Sequence, residues 1–223
     1  TFSPPEGPSL KIVAGRPLDC GDYVEVLISA KLPDAEIRPP CDICLVVDTS
    51  GSMQTEALLG ADQGREAGAP ILSVLDIVRH ALKTVVHTLE KQDRLGIVAF
   101  SDLADIKLDL RAMDGDGRAA ADAVADTLHA DGQTNLWDGL HAGLEMMRRN
   151  SQNGRSSVIM LLTDGVPNEE PDCSQMLKQY RNTNGGKLPC TLHTFGFGRD
   201  LDSKLLDELA SESGGMYIFI PDA

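Results

Sequence analysis

No apolar run in this chain approaches the roughly 20 residues that a membrane-spanning helix requires. Positive charge is also in short supply: 20 Lys and Arg face 34 Asp and Glu, for a net charge of -14. Nucleic acids and anionic membranes are held mainly by Lys and Arg, so neither is an expected partner. The first residues, TFSPPEGPSL, have neither the basic start nor the apolar stretch of a secretory signal. Cysteines number five (Cys20, Cys41, Cys44, Cys173 and Cys190), an odd count spread thinly, which makes a poor disulfide framework. That usage favours a reducing, cytoplasmic or otherwise intracellular setting, with an extracellular one left open. Cys41 and Cys44 form a lone C-x-x-C with no second pair or nearby histidines to complete a zinc site. The pair opens a strand instead of a helix, so the expected role is that of two core thiols.

What is present is an ordinary globular composition, 42% hydrophobic and 24% charged over 223 residues, enough for one full core with an appendage. Residues 1–40 are proline-rich at both ends and hold one clear alternating pattern, YVEVLISAKLP. They are expected to form a β appendage to a domain at 41–223. From residue 41 onward, DICLVVD, RLGIVAF, SSVIMLLTD and CTLHTFGFG read as strands buried on both faces. Helical spacing separates them: Leu75, Val78, Leu82, Val85, Val86 and Leu89 after a cap at Ser73, then Leu136, Leu140, Leu144 and Met147. Weaker helices fit GRAAADAVADTLHA and DSKLLDELASES. Such alternation predicts an α/β fold, a doubly wound and mostly parallel sheet covered by helices on both faces. DIKLDLRAM follows its predecessor too closely for a crossover and should pair antiparallel. Residues 54–72, Ala- and Gly-rich without a firm period, read as mostly a mobile loop.

The segment CDICLVVDTSGSM raises the functional question, because a buried run ends abruptly in Asp48, Ser50 and Ser52. Ligands of open α/β sheets bind at the carboxyl ends of the strands, where the strand order reverses. A second run, MLLTD, ends the same way at Asp164. If the two strands are neighbours, two carboxylates share one crevice, and at about 4 Å and an effective dielectric near 20 they repel by roughly 4 kcal/mol. Neither DTSGSM nor LTDGVPN contains a Lys or Arg to offset this. Carboxylates, neutral hydroxyls and water form a hard oxygen shell suited to Mg²⁺ and less to zinc or copper. A metal held largely by hydroxyls stays electron-poor and seeks an acidic oxygen from outside.

D-x-S-x-S at a strand end, then Thr134 in DGQTNLWDGL, then Asp164 in LLTDG resembles the von Willebrand factor A domain and its metal-ion-dependent adhesion site. The resemblance covers roughly residues 41–221. KQDRLGIVAFS, GQTNLWDGL, HTFGFG and SGGMYIFIPDA look most like a branch of intracellular plant and fungal proteins that carry this domain beside RING-type or Hint-type modules. It implies a six-stranded Rossmann-like sheet with one antiparallel edge strand. It implies that Ser50 and Ser52 bind the metal directly, that Thr134 does so directly or through water, and that Asp48 and Asp164 act through waters or orient the hydroxyls. It further implies Mg²⁺, with Mn²⁺ or Ca²⁺ as substitutes, and a partner protein whose Glu or Asp completes the shell. The insert at 54–72 departs from the family pattern and either forms a recognition surface or shields the site.

Rival readings are weaker. A Mg²⁺-dependent phosphohydrolase wants a second catalytic acid beside Asp48 and a Lys or Arg for the phosphoryl group, and Thr49, Ser50 and Gly51 offer neither. A serine hydrolase lacks its G-x-S-x-G elbow. A structural scaffold with a vestigial site remains an alternative that only metal binding decides. DGDG at 114–117 reads as a turn, since Arg118 and Ala125 stand where calcium ligands belong. FGFGRD lacks the third glycine of a dinucleotide fingerprint. Asp102, Asp138 and Asn168 fall either at the rim of the site or on solvated surface, and Trp137 is expected to pack behind the Thr134 loop, with an exposed binding hot spot as the alternative. The expectation is therefore a non-enzymatic, metal-dependent protein-binding module.

Overall fold

The computed structural model describes residues 9–15, 25–31, 38–57, 72–165, 172–198 and 201–221. Cys20, Asn168 and residues 58–71 of the 54–72 insert lie outside them. Contacts divide the chain into two units, residues 1–39 and 40–223. In the first, strands β1 (Ser9–Gly15) and β2 (Glu25–Lys31) pair antiparallel, Ser9 opposite Lys31. The sequence signalled only the second of these, because SLKIVAG alternates too weakly to stand out.

The second unit begins with β3 (Cys41–Asp48), whose residues after Cys41 are all buried. A short 3-10 turn (Gly51–Gln54) follows, then α1 (Val74–Thr88), capped by Ser73 in a reciprocal box with Asp76. Next come β4 (Arg94–Phe100), β5 (Ala104–Ala112), α2 (Gly115–Thr127) and α3 (Leu136–Arg149). The remainder is β6 (Ser156–Thr163), α4 (Cys173–Thr183), β7 (Thr191–Phe197), α5 (Ser203–Ser211) and β8 (Tyr217–Ile220). The six strands run β5-β4-β3-β6-β7-β8, all parallel except β5, which pairs antiparallel with β4 as the short connection required. β5 exposes a charged margin through Asp105, Lys107, Asp109 and Arg111.

Alternation along β3 sends side chains to two separate cores. Ile43, Leu45 and Val47 pack with α1 and α2, while Cys44 and Val46 pack with α3, α4 and α5. α3 lies close to the sheet because Gly139 and Gly143 face it. A Cβ on Gly139 would sit 2.5 Å from the Phe100 ring, and one on Gly143 would sit 2.7 Å from Val46 Cγ2. At the start of β3, buried Asp42 accepts from Arg94 (2.8 and 2.7 Å) and Arg155 (2.6 Å). Burial alone raises its pKa, but the two guanidinium groups outweigh this and hold the carboxyl below the usual range.

Two expectations need correction. DGDG is not a free-standing turn: Asp114 caps α2, accepting from Gly117 N at 2.8 Å, and the helix starts at Gly115, two residues before the predicted stretch. The same helix ends at Thr127, so Leu128, His129 and Ala130 lie beyond it. α4 was not anticipated, because its buried side is only Cys173, Ser174, Leu177 and Tyr180, too few apolar residues to show a helical period. Cys41 and Cys44 do open β3; Cys44, Cys173 and Cys190 are buried, Cys41 is half-buried, and Cys44 and Cys190 are free thiols. Burial pushes Cys190 up to about 12 and Cys173 up to about 11, so neither is a reactive thiolate.

Candidate metal centre

From β3 the chain moves to β4 and β5 on one side, then returns to lay down β6, β7 and β8 on the other. The reversal falls between β3 and β6, and the crevice at their carboxyl ends is the ligand position of an open α/β sheet. Asp48 ends β3 and Asp164 follows β6, so the neighbouring strands expected to bring two carboxylates together are indeed paired.

Asp48 is fully buried. One carboxylate oxygen accepts from Ser50 N at 2.8 Å and the other from Thr163 Oγ1 at 2.5 Å. Ser52 Oγ donates to Asp164 Oδ1 at 2.7 Å and lies 3.0 Å from Ser50 Oγ. Thr134, also buried, reaches the same place from the α2–α3 connection. A Cβ placed on Gly165 would lie 3.3 Å from Thr134 Oγ1 and 3.6 Å from Ser52 Oγ, so the residue after Asp164 leaves this space to oxygens. All five residues singled out from sequence thus meet at one strand-end crevice.

The loops are held by the backbone. Thr49 N donates to Phe100 O at 2.8 Å, Gly51 N to Gly132 O at 3.0 Å, and Asp131 N to Thr49 O at 2.8 Å. These tie the D-x-S-x-S turn to β4 and to the Thr134 loop. Asp102 clamps that loop from the other side, accepting from Gln133 N at 2.9 Å. Gly132 adopts φ +79, where a Cβ would also press within 2.8 Å of Asp102 Oδ2. Asn135 caps α3 and bonds Ser101 O and Asp102 O, and Asp138 accepts from Ala104 N at 2.6 Å. Asp102 and Asp138 therefore position the loops. Trp137 stacks on His141 (5.6 Å between rings) on the α3 side of the sheet, packed against the core.

Thr163 and Gly165 escaped the sequence reading. Both flank Asp164 in LLTDG, but a threonine at the end of a buried strand carries no signal of its own.

Electrostatics at the site has one sign. Burial raises the pKa of Asp48 against the opposing bonds from Thr163 and Ser50. Asp164 is pushed up to about 6, chiefly by burial and further by the charge of Asp48, with the Ser52 bond opposing. Among the described residues no cationic side chain contributes to either shift. Nor do three or more His, Cys, Asp or Glu converge anywhere among them. The donors gathered here are two carboxylates and three hydroxyls. That set fits a hard divalent ion, since it supplies oxygen only and places negative charge where nothing described balances it.

A family model for the von Willebrand factor type A domain matches residues 42–223. The chain belongs to this family. An uncharacterized Synechocystis protein is 32% identical to it over 197 residues, 88% of this chain and 41% of the relative. Mouse inter-alpha-trypsin inhibitor heavy chain H3 is 31% identical over 184 residues, 79% of this chain and 19% of that one. The chain therefore spans less than half the length of these von Willebrand factor A relatives. Among solved structures, a von Willebrand factor type A protein from Catenulispora acidiphila superposes with a TM-score of 0.67 at 21% identity, covering 97% of this chain and 46% of that one. Proximal thread matrix protein 1 of the mussel byssus, in a structure described as having a zinc-occupied MIDAS motif, gives 0.55 at 21% identity, covering 81% and 41%. At that identity both show the fold. No helix of the described residues is long and apolar enough to cross a membrane.

Proposed function

We propose that this von Willebrand factor A domain is a non-enzymatic, divalent-metal-dependent protein-binding module. Ser50, Ser52 and Thr134 supply hydroxyl oxygens to the ion, and Asp48 and Asp164 orient them and balance its charge. The ion is Mg²⁺, with Mn²⁺ or Ca²⁺ able to substitute, and the partner protein contributes a Glu or Asp. Family membership and the zinc-containing mussel relative support a metal in this position. The observation that carries the reading is the meeting of Asp48, Asp164 and three hydroxyls in a crevice where no described cation balances the two acids. When bound, the ion supplies a Lewis-acidic position for a carboxylate.

The rest of the reading follows from composition. A chain of net charge -14 meets an acidic partner through the ion and not through a basic surface. The buried thiols of Cys44 and Cys190 fit an intracellular setting, and residues 1–40 are read as an appendage to the domain at 41–223.

Titrating Mn²⁺ or Mg²⁺ into chelator-stripped protein should release heat with one-site stoichiometry, and Asp48→Ala should release none. Affinity capture in Mg²⁺ should retain a partner that EDTA and Asp48→Ala both lose. Heat absent from the wild-type protein sinks the metal, and equal recovery in EDTA sinks its role in binding.

A further inference from the structure

The amino end of the sheet holds a second cleft. Its walls come from the α3–β6 loop, the last turn of α4 and the loop after it, the turn after α5 and the first residues of β6 and β7. It measures about 550 Å³, within the usual range of small-molecule sites. Ser157 lines it near the start of β6 and Asp164 stands just past the end of that strand, seven residues on, so about 20 Å separates it from the metal centre.

The lining carries three cations, Arg155, Arg181 and Lys187, and one carboxylate, Glu212. That balance is opposite to a chain of net charge -14. The pairings do not cancel it. Arg155 shares Asp42 with Arg94, two cations on one acid. Glu212 is likewise shared, by Arg181 at 2.5 Å and Lys178 at 3.6 Å. Lys187 has no carboxylate partner among the described residues. Asp93, the next acid along, does not line the cleft and takes the amides of Cys41 and Glu90.

Three cations thus face one polar cavity against a single lining carboxylate, a surplus of two. Arg155 is held in place: its Nε bonds Asp42 and its Nη2 bonds Cys41 O and Gln92 O. Arg181 commits one nitrogen to Glu212. A guanidinium already fixed on one edge loses little freedom when its other N–H groups meet an anion. The hydroxyls of Ser157 and Thr191 add neutral donors on the lining.

We propose that this cleft binds a small phosphate monoester, its phosphate against Lys187, Arg181 and Arg155. The doubly charged phosphate matches a surplus that one carboxylate leaves partly unmet, and the volume leaves room for an organic body. This site is independent of the metal centre and of any partner bound there.

The test is an amide NMR titration in EDTA at constant ionic strength, so that the metal centre contributes nothing. The probes are inorganic phosphate, AMP, and adenosine as the uncharged control. Phosphate and AMP should give saturable shifts centred on Gly186, Lys187, Thr191 and Ser213, AMP binding more tightly, and adenosine none. Lys187→Ala should weaken both by about tenfold or more, the loss of one charge-assisted contact. Lys204→Ala, an exposed lysine that does not line the cleft, should leave them unchanged. Shifts that never saturate or scatter over the surface, or equal affinity in Lys187→Ala, overturn the proposal. Phosphate binding with AMP excluded would reduce it to an ion site and overturn it as well.

Discussion

Thr163 Oγ1 donates to Asp48 Oδ2 at 2.5 Å, joining the carboxyl ends of the two strands between which the fold reverses direction. Asp48 is thereby fixed on one edge by a strand-end hydroxyl and on the other by the Ser50 amide. Thr163→Val keeps the shape and removes the donor. Metal affinity measured by calorimetry should fall by about 10- to 100-fold, the usual effect of losing a group that orients a metal-site ligand. Thr163→Ser should restore it. An unchanged affinity in the valine variant would assign Thr163 to packing alone.

Metal removal should register in thermal stability. An ion that binds only the folded state at 100 times its Kd stabilises by about 2.7 kcal/mol. For a chain of this length that raises Tm by roughly 5–10 °C. Scanning calorimetry of chelator-stripped protein with and without Mn²⁺ should show the rise, and Asp164→Ala should abolish it. A rise of equal size in that variant would place the ion elsewhere.

Asp42 governs acid stability at the other end of β3. Its carboxyl titrates lower when folded than when unfolded, so the unfolded chain binds that proton more readily. The stabilisation is fully present above the unfolded value of about 3.9 and fades as pH drops through the folded one. Asp42→Asn leaves Arg94 and Arg155 without their shared partner, at a cost of about 3–5 kcal/mol near neutral pH. Denaturant melts between pH 7 and pH 2 should show the variant's deficit shrinking toward the acid end. A deficit constant across that range would mean that the charge is irrelevant.

Gly139 sets the distance of α3 from the sheet. In Gly139→Ala the new methyl would meet the Phe100 ring at 2.5 Å, and overpacking of this kind costs about 1–3 kcal/mol. Because Asn135 caps α3 one residue after Thr134, the helix cannot shift without moving that hydroxyl. Urea melts should show the loss, and metal affinity should fall with it. Lost stability with full metal affinity would show that the loop is uncoupled from the helix.

The central strands and the meeting of Asp48 with Asp164 were legible because buried parallel strands are written as unbroken apolar runs. An acid ending such a run must lie at the sheet's carboxyl edge. α1 and α3 were legible for a similar reason, each repeating an apolar residue over four turns. α4 and β1 were not, since Leu177 and Tyr180 make too short a stripe and SLKIVAG carries too little alternation. The clamps escaped for a different reason. Asp102 binds the amide of Gln133, 31 residues away, and Thr163 reaches a carboxylate 115 residues away. Pairings at that range are made by topology, and a local pattern holds no trace of them.

β5 closes one side of the sheet with Asp105, Lys107, Asp109 and Arg111 in the open. Any foreign strand seeking to lengthen the sheet there would have to strip water from four ions of alternating sign. An open sheet always has a margin at which neighbours can stick. On this flank the molecule carries its own fence, and crowding should leave that side unjoined.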